Sequence, residues 1–426
     1  MDIALLDISD SNLQMWCGER HVRSPGYALL AGQQYRFGRE ARATARLEPR
    51  NINTRYWWQL STEPLQPALG PARHSGDLVH AHLQQLHAEA GKPAELMLAV
   101  SGSMQREQLA LLLGIVQQCP FDAVGLVNRS VALGSLYGGP GRIFHLEVQL
   151  HQAVISELGE SGGKIELQRT VPLPGCGLLQ LQERLVETIA SGFIRQTRFD
   201  PRRKAATEQQ LYDALPDTLR TLRQNGETNL EVNGYRARIT QAELATAGQR
   251  LFDAAPQTMG VLRADDRVIV DPVAALLPGL AEQFPQLQEL DRHAMQQALD
   301  YHQERLVQRD QALSFVTALP CLDDTIIPQP QPIAEPAAPV AEEPAPPPPT
   351  ATHVLRDDRA QPLMAAGTSL SGGWELFSSG SGWQLRGTGE AARVNGDAYQ
   401  PGQLLGRGDR IELEEHPPLL LIEVET

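Results

Sequence analysis

"IALLDISDSN", Ile3 to Asn12, is the stretch on which the reading of this chain turns. The apolar run from Ile3 to Leu6 predicts a buried strand that delivers Asp7 into a polar loop, Ser9-Asp10-Ser11-Asn12. A strand end that aims a carboxylate and backbone amides at phosphate opens several nucleotide-binding folds. Glycine normally lets backbone come that close, and this loop has none. The loop therefore reads as the outline of a phosphate cradle lacking its hinge residues.

The chain has 426 residues, more than one ordinary core, so two or three domains are expected. A net charge of −14 opposes non-specific nucleic-acid binding, which needs cations to displace counterions, and no nucleic-acid partner is expected. Cys17, Cys119, Cys176 and Cys321 lie far apart without a C-x-x-C pair, which fits reduced thiols in a cytosol better than a zinc site. The first residues carry no basic segment followed by a long apolar one, and no apolar run approaches membrane-spanning length. A cytoplasmic protein without membrane insertion is expected.

"PQPQPIAEPAAPVAEEPAPPPPT", Pro328 to Thr350, marks the clearest boundary. Proline removes backbone donors and biases the chain to polyproline II, so this stretch predicts a spacer of roughly 70 Å at about 3.1 Å per residue. Docking of its "PAPPPP" end onto an SH3-like partner is a lesser reading. Three segments follow: a body over 1–320, a Pro/Ala/Glu-rich linker over 321–350 and a terminal module over 351–426.

Within the body, strands are predicted over Glu95–Gly102 and Ala123–Asn128, with a hairpin pair over Arg142–Leu158. Helices are predicted over Asp77–Ala90, Met104–Cys119, Gly177–Thr197, Thr207–Arg223 and Asp291–Leu313. "TNLEVNGYRARIT", Thr228 to Thr240, carries Asn-Gly between alternating apolar residues, a hairpin signal. Mixed strands and helices imply an α/β class. The terminal module, with "GWQLRG", "ARVNGDAYQ" and "GDRIELEEHPPLLLIEVE", reads as short alternating strands and hence all-β.

Taken together, "LLDISDSNL", "YRFGREARATARLEPRNINTRYWWQL" and "LMLAVSGSMQREQLALLLGIVQQCPFDAVGLVNRSVALGSLYGG" resemble the nucleotide-binding domain of DnaK-type heat-shock chaperones, in the actin/hexokinase-like superfamily. The resemblance spans the first 320 residues and implies an actin-like, two-lobed ATPase-domain fold. It aligns the first loop with D-x-G-T-T-N-S, keeping Asp7, Ser11 and Asn12 but placing Ser9 at the glycine and Asp10 at the first threonine. The second phosphate loop, D-L-G-G-G-T-F-D, aligns with "HLEVQLHQ": His145 and Gln152 replace the outer aspartates, and Glu147, Val148 and Gln149 the glycines. Arg129 stands at the catalytic-side glutamate of N-E-P-T. No lysine matches the catalytic one near "YWWQL", and "GVLRADDRVIVDP", Gly260 to Pro272, lacks the adenosine-side glycine pair. A vestigial nucleotide loop made of Asp7, Ser9, Asp10, Ser11 and Asn12 is thus implied, with no catalytic residue.

"LSGGWELFSSGSGWQLRGTGEAARVNGDAYQPGQLLGRGDRIEL", Leu370 to Leu413, is similar to forkhead-associated domains through its G-W-x-L, V-N-G and G-D-R-I-x-L segments. Of that family's phosphothreonine-reading set, Ser371 survives, Trp374 replaces the expected histidine, and N-G-T is lost. A neutral protein-docking module is the preferred reading over a phosphopeptide reader.

Other motifs favour bland readings. His74, His80, His82 and His87 lack i, i+4 metal spacing and are expected on a solvated helix face. "SGGK", Ser161 to Lys164, and "GGPG", Gly138 to Gly141, read as turns. "RQTRFDPRRK", Arg195 to Lys204, reads as a solvated loop, with an acidic-partner site as the alternative. Trp57 and Trp58 are split between core and an exposed docking patch.

The leading functional expectation is a non-catalytic, chaperone-related scaffold or adaptor: a pseudo-ATPase body and a tethered β module that bind protein partners, with no metal and no required cofactor. The alternative is a divergent DnaK-type ATPase in which Asp7, Asp10 and Asn12 hold Mg-ATP, with weak ATP, ADP or Mg²⁺ binding as an intermediate case. A filament-forming actin relative is a third reading.

Overall fold

The computed structural model describes residues 3–309, 312–322, 351–356, 359–364, 366–379, 382–387, 392–413 and 416–423, which form two compact units divided at Pro328. Most of the expected linker, 323–350, lies outside the described residues.

The first unit is mixed α/β. Its first sheet contains β1 (Ala4–Ile8), β2 (Leu13–Cys17), β3 (Arg20–Ser24), β4 (Glu95–Val100) and β5 (Asp122–Asn128) in the order β5-β4-β1-β2-β3. The second contains β6 (Ile143–Val148), β7 (Gln152–Ser161), β8 (Lys164–Pro174), β9 (Arg267–Val270), β10 (Leu287–Glu289) and β11 (Ala318–Pro320), ordered β10-β9-β6-β7-β8-β11. Apart from β11, the second order is the first one repeated. In each sheet the earliest strand is central, runs antiparallel into a three-strand meander on one side, and pairs in parallel with a later strand on the other.

Strand sequences explain this layering. "ALLDI" and "ELMLAV" are near-continuous apolar runs, as parallel strands covered on both faces require. Alternate residues of β1 enter different cores: Ala4, Leu6 and Ile8 pack with Leu78, Leu83 and Leu98, whereas Leu5 packs with Met97, Val127 and Ile269. The latter core contains residues of both sheets and of the helices α3 (Arg129–Gly134) and α7 (Ala294–Leu306), which follow the fifth strand of each repeat. The remaining helices used below are α1 (Ser75–Glu89), α2 (Arg106–Val116), α4 (Leu178–Thr197), α5 (Ala205–Asn225) and α6 (Gln249–Met259).

Most expected elements are found with shifted ends. The late helix expected over Asp291–Leu313 is confined to α7, because the chain turns extended at Val307 and Gln308 N donates to Val124 O. Asn233 (φ 51°) and Gly234 (φ 81°) make the expected hairpin turn, and Gly162 and Gly163 turn the β7–β8 hairpin. The β2–β3 hairpin, β9 and α6 were not read from the sequence. The body also continues beyond residue 320: the Cys321 and Leu322 amides donate to Gly163 O and Ser135 O, and Leu322 is buried. Cys17, Cys119 and Cys176 are free thiols.

Helix α1, with three histidines and His74 as its cap, corrects another expectation. His82 and His87 point inward rather than to solvent. His82 lies within 2.7 Å of Ser24 Oγ and 2.8 Å of Tyr56 OH and accepts from Trp57 Nε1, and burial lowers its pKa to about 3. His74 accepts the Asp77 amide as the cap of α1. The segment Arg195–Lys204 is less loop-like than expected: it begins as the last turn of α4, ended by Arg198 at φ 62°, and includes a 3-10 turn at Pro201–Arg203.

The second unit is all-β among the described residues. One sheet joins Arg359–Pro362, His353–Arg356, Leu419–Ile422, Arg410–Leu413, Ala392–Val394 and Asp397–Ala398 in that order. The other joins Thr368–Ser369, Trp374–Ser378 and Trp383–Gly387. Val354, Ile411 and Leu421 from the first share a core with Leu376 and Leu385 from the second. No helix among the described residues is long and apolar enough to cross a membrane.

Leu98, fully buried in β4, tests the first-unit core. Leu98→Ala is expected to lose about 2–5 kcal/mol in urea unfolding, whereas Leu47→Ala, on the surface, is expected to stay within about 0.5 kcal/mol.

Candidate functional site

Asp7 sits near the end of β1, and the loop behind it is a tight reverse turn in which Asn12 N donates to Ser9 O at 2.9 Å. None of residues 9–12 takes a positive φ, which is why the turn forms without glycine. Ser9 and Asp10 face inward, and each has a side-chain oxygen already engaged. Asp10 Oδ1 accepts the Leu150 amide from the β6–β7 turn at 2.7 Å, and Ser9 Oγ donates to Glu147 Oε1 on β6 at 3.0 Å.

Arg129 occupies the centre. At the start of α3, next to the cap residue Asn128, it is 3% exposed. Its Nε and Nη2 donate to Asp7 at 2.7 and 3.2 Å, while Nη1 and Nη2 donate to Asp271 at 3.0 and 2.7 Å. Asp271 directly follows β9, so one guanidinium grips a carboxylate from each sheet. Glu147 lies 3.8 Å from Nη1 and accepts from Ser9, Ser101 and Gln149 at 3.0 Å each. His145 stands 3.4 Å from Arg129 Nη1 and 2.8 Å from Ser130 Oγ.

The electrostatics follow from one buried cation facing three carboxyls. Burial opposes the Arg129 charge, yet Asp271, Asp7 and Glu147 outweigh it and hold the guanidinium above its ordinary pKa. Burial likewise pushes Asp271 up, but Arg129 and His145 bring it well below the usual carboxylate range. Asp7 is raised by burial despite Arg129, and burial takes Asp10 up to about 7.

The second expected phosphate loop is closed in a similar way. Leu178 N and Leu179 N, at the start of α4, donate to Gln149 O and Leu150 O. Those helix-terminal amides are thereby capped by the β6–β7 turn. At Gly177 a Cβ would lie 2.3 Å from the His151 carbonyl carbon, so the contact depends on that glycine.

Two cavities flank this cluster. One, of about 310 Å³, is bounded by Asp7, Ser11, Arg129, Asp271 and Arg292. The other, of about 320 Å³, is bounded by Asp10, Trp58, Ser101, Gln149 and Gln152. Glu147 is bonded to Ser9 on the wall of the first and to Ser101 on the wall of the second.

Of the five loop residues singled out in the sequence, the structure draws Asp7, Ser9 and Asp10 into the cluster; Ser11 and Asn12 remain partly exposed beside the first cavity. Asp271, Ser101 and Ser130 were missed. Asp271 had a readable signal, since "VIVDP" repeats the apolar-run-then-aspartate pattern of "ALLDI". Trp57 is core, while Trp58 is partly exposed and stacks on His151 at 5.0 Å. Among the described residues, no group of three or more His, Cys, Asp or Glu is placed to hold a metal ion. In the second unit, Asn395 Nδ2 donates to Asp409 Oδ1 at 2.8 Å and Asn395 Oδ1 accepts the Arg410 amide at 2.9 Å, so both ends of this side chain serve the turn.

Compared with protein-family models and with curated proteins, the chain matches none.

Two measurements probe the cluster. Arg129→Leu leaves three carboxyls without their cation and is expected to lower stability by about 3–5 kcal/mol in urea titration at pH 7. Asp10 has the opposite pH signature to a salt-bridged carboxylate. Its folded pKa of about 7 exceeds an unfolded value of about 3.9, so the native state holds the extra proton and its contribution fades as pH rises from about 4 to 7. Across that window wild type should lose stability relative to Asp10→Asn, by on the order of 4 kcal/mol at most.

Proposed function

We propose that this chain is a non-catalytic scaffold or adaptor whose body is a pseudo-ATPase of the actin-like, two-lobed kind and whose terminal β module is a second docking surface. The repeated sheet order supports the actin-like reading, because a duplicated five-strand unit places a seam between its copies. The observation that carries the functional reading is Glu147. This carboxylate takes the donors Ser9, Ser101 and Gln149 that line the seam, with Arg129 alongside. The chain thereby supplies its own anion where the resemblance to DnaK-type domains expects a phosphate.

Glycine loss supports the same conclusion from the backbone side. A nest of amides needs open N–H groups, and those of Leu150, Leu178 and Leu179 already have acceptors. The divergent-ATPase alternative would require Asp7 to bind Mg²⁺ while both its oxygens hold Arg129. For the module, its likeness to forkhead-associated domains supports a docking role. The turn-bound Asn395, together with the Arg386–Glu375 and Arg407–Glu423 pairs, favours a neutral partner over a phosphopeptide.

Isothermal titration of the full-length protein with ATP and with ADP, each with Mg²⁺, should give no saturable binding in the micromolar range and no phosphate release. Micromolar ATP binding with magnesium-dependent turnover that Asp7→Ala abolishes would overturn the reading.

A further inference from the structure

The cavity of about 320 Å³ beside Asp10 carries a chemistry that the scaffold reading does not use. Its size falls at the small end of ligand pockets, which run from about 300 to 1,000 Å³. Its wall brings together the two repeats: Asp10 and Ser101 from the loops after β1 and β4, Gln149 and Gln152 from the β6–β7 hairpin. Trp58 closes one side.

Four features define what fits. Among the described residues the wall contains no lysine, arginine or histidine, so an anionic ligand would meet no counter-charge there. The polar groups are built in rather than displayed on mobile surface chains. Ser101, Gln149 and Gln152 are each more than nine-tenths buried, and Gln149 Nε2 donates to Ser101 Oγ at 2.9 Å and to Ser103 Oγ at 3.1 Å. Capacity is nonetheless left over. Gln152 Nε2 donates to Gln149 Oε1 at 2.9 Å while its own Oε1 has no partner among the described residues. The partly exposed Trp58, held by its stack on His151, borders these groups with an aromatic surface.

Amide oxygens and hydroxyls that exchange donors with neighbouring O–H groups, beside an indole able to cover C–H faces, suit a ring bearing several hydroxyls. We propose that this cavity binds a small uncharged ligand rich in hydroxyl groups, of the monosaccharide or cyclic-polyol class. The inference uses neither the terminal module nor the loss of nucleotide binding, although its wall shares Ser101 and Gln149 with the Glu147 network.

Calorimetric titration of the full-length protein with glucose, galactose, mannose, N-acetylglucosamine and myo-inositol, and in parallel with uncharged capped tripeptides, tests it. At least one of the five polyols is expected to bind with a dissociation constant of about 1 mM or tighter. Gln152→Leu is expected to weaken that binding roughly tenfold, by loss of one hydrogen bond. Gln59→Ala, on the exposed rim, should fold normally and weaken it severalfold, which keeps the test decisive if Gln152→Leu does not fold. Absence of saturable binding by any polyol, saturation by the tripeptides alone, or affinity unchanged in every folded variant would overturn the proposal.

Discussion

A single guanidinium holds the two repeats of this fold at a fixed distance. Arg129 belongs to the helix after β5, Asp7 to β1 of the same sheet, and Asp271 to the end of β9 in the other sheet. A buried cation is tolerated only with its charge matched and its donors filled, and a buried carboxylate is no cheaper to leave alone. Once one of the three is buried, the others must come to it. Ser9, Ser101, Ser130, His145, Glu147 and Gln149 then fall into place as groups satisfying what the central trio leaves over.

This cluster is not where the stability of the unit resides. Buried ion pairs return little net free energy over apolar groups of the same volume. The apolar layer that includes Leu5, Met97, Val127, Ile269 and Leu299 supplies the cohesion between the sheets. The polar cluster instead supplies directional constraints: a slip of either sheet by one residue would separate carboxylate from guanidinium as well as reversing the apolar faces. Cohesion and alignment thus come from adjacent but chemically different layers.

Much of this was readable in the sequence, for local reasons. "ALLDI" and "ELMLAV" have the unbroken apolar character of doubly covered strands, and Asn233-Gly234 has turn chemistry that few other folds of the chain satisfy. Arg129 and Glu147 could be singled out because one reverses the charge of the resembled pattern and the other sets a charge at a glycine. What stayed hidden was pairing across distance. Asp271 is 142 residues from Arg129, and a short strand such as Arg267–Val270 carries too little periodicity to show that its aspartate turns inward. His82 and His87 were misread for a related reason: a helix with polar residues on several faces does not say which face the sheet will cover, and buried imidazoles need partners, such as Ser24, that only the fold brings near.

The crowding of acids around Arg129 has a genetic corollary. Exchanging that arginine for a glutamate would set four carboxyls against one another in a space with little water, a strongly repulsive arrangement. Removing Asp7 or Asp271 first would leave the arginine gripped by one carboxylate instead of two, with part of its donor set unmet. A change of charge at residue 129 is therefore tolerated only when its acids change with it, so these positions are expected to vary as a set.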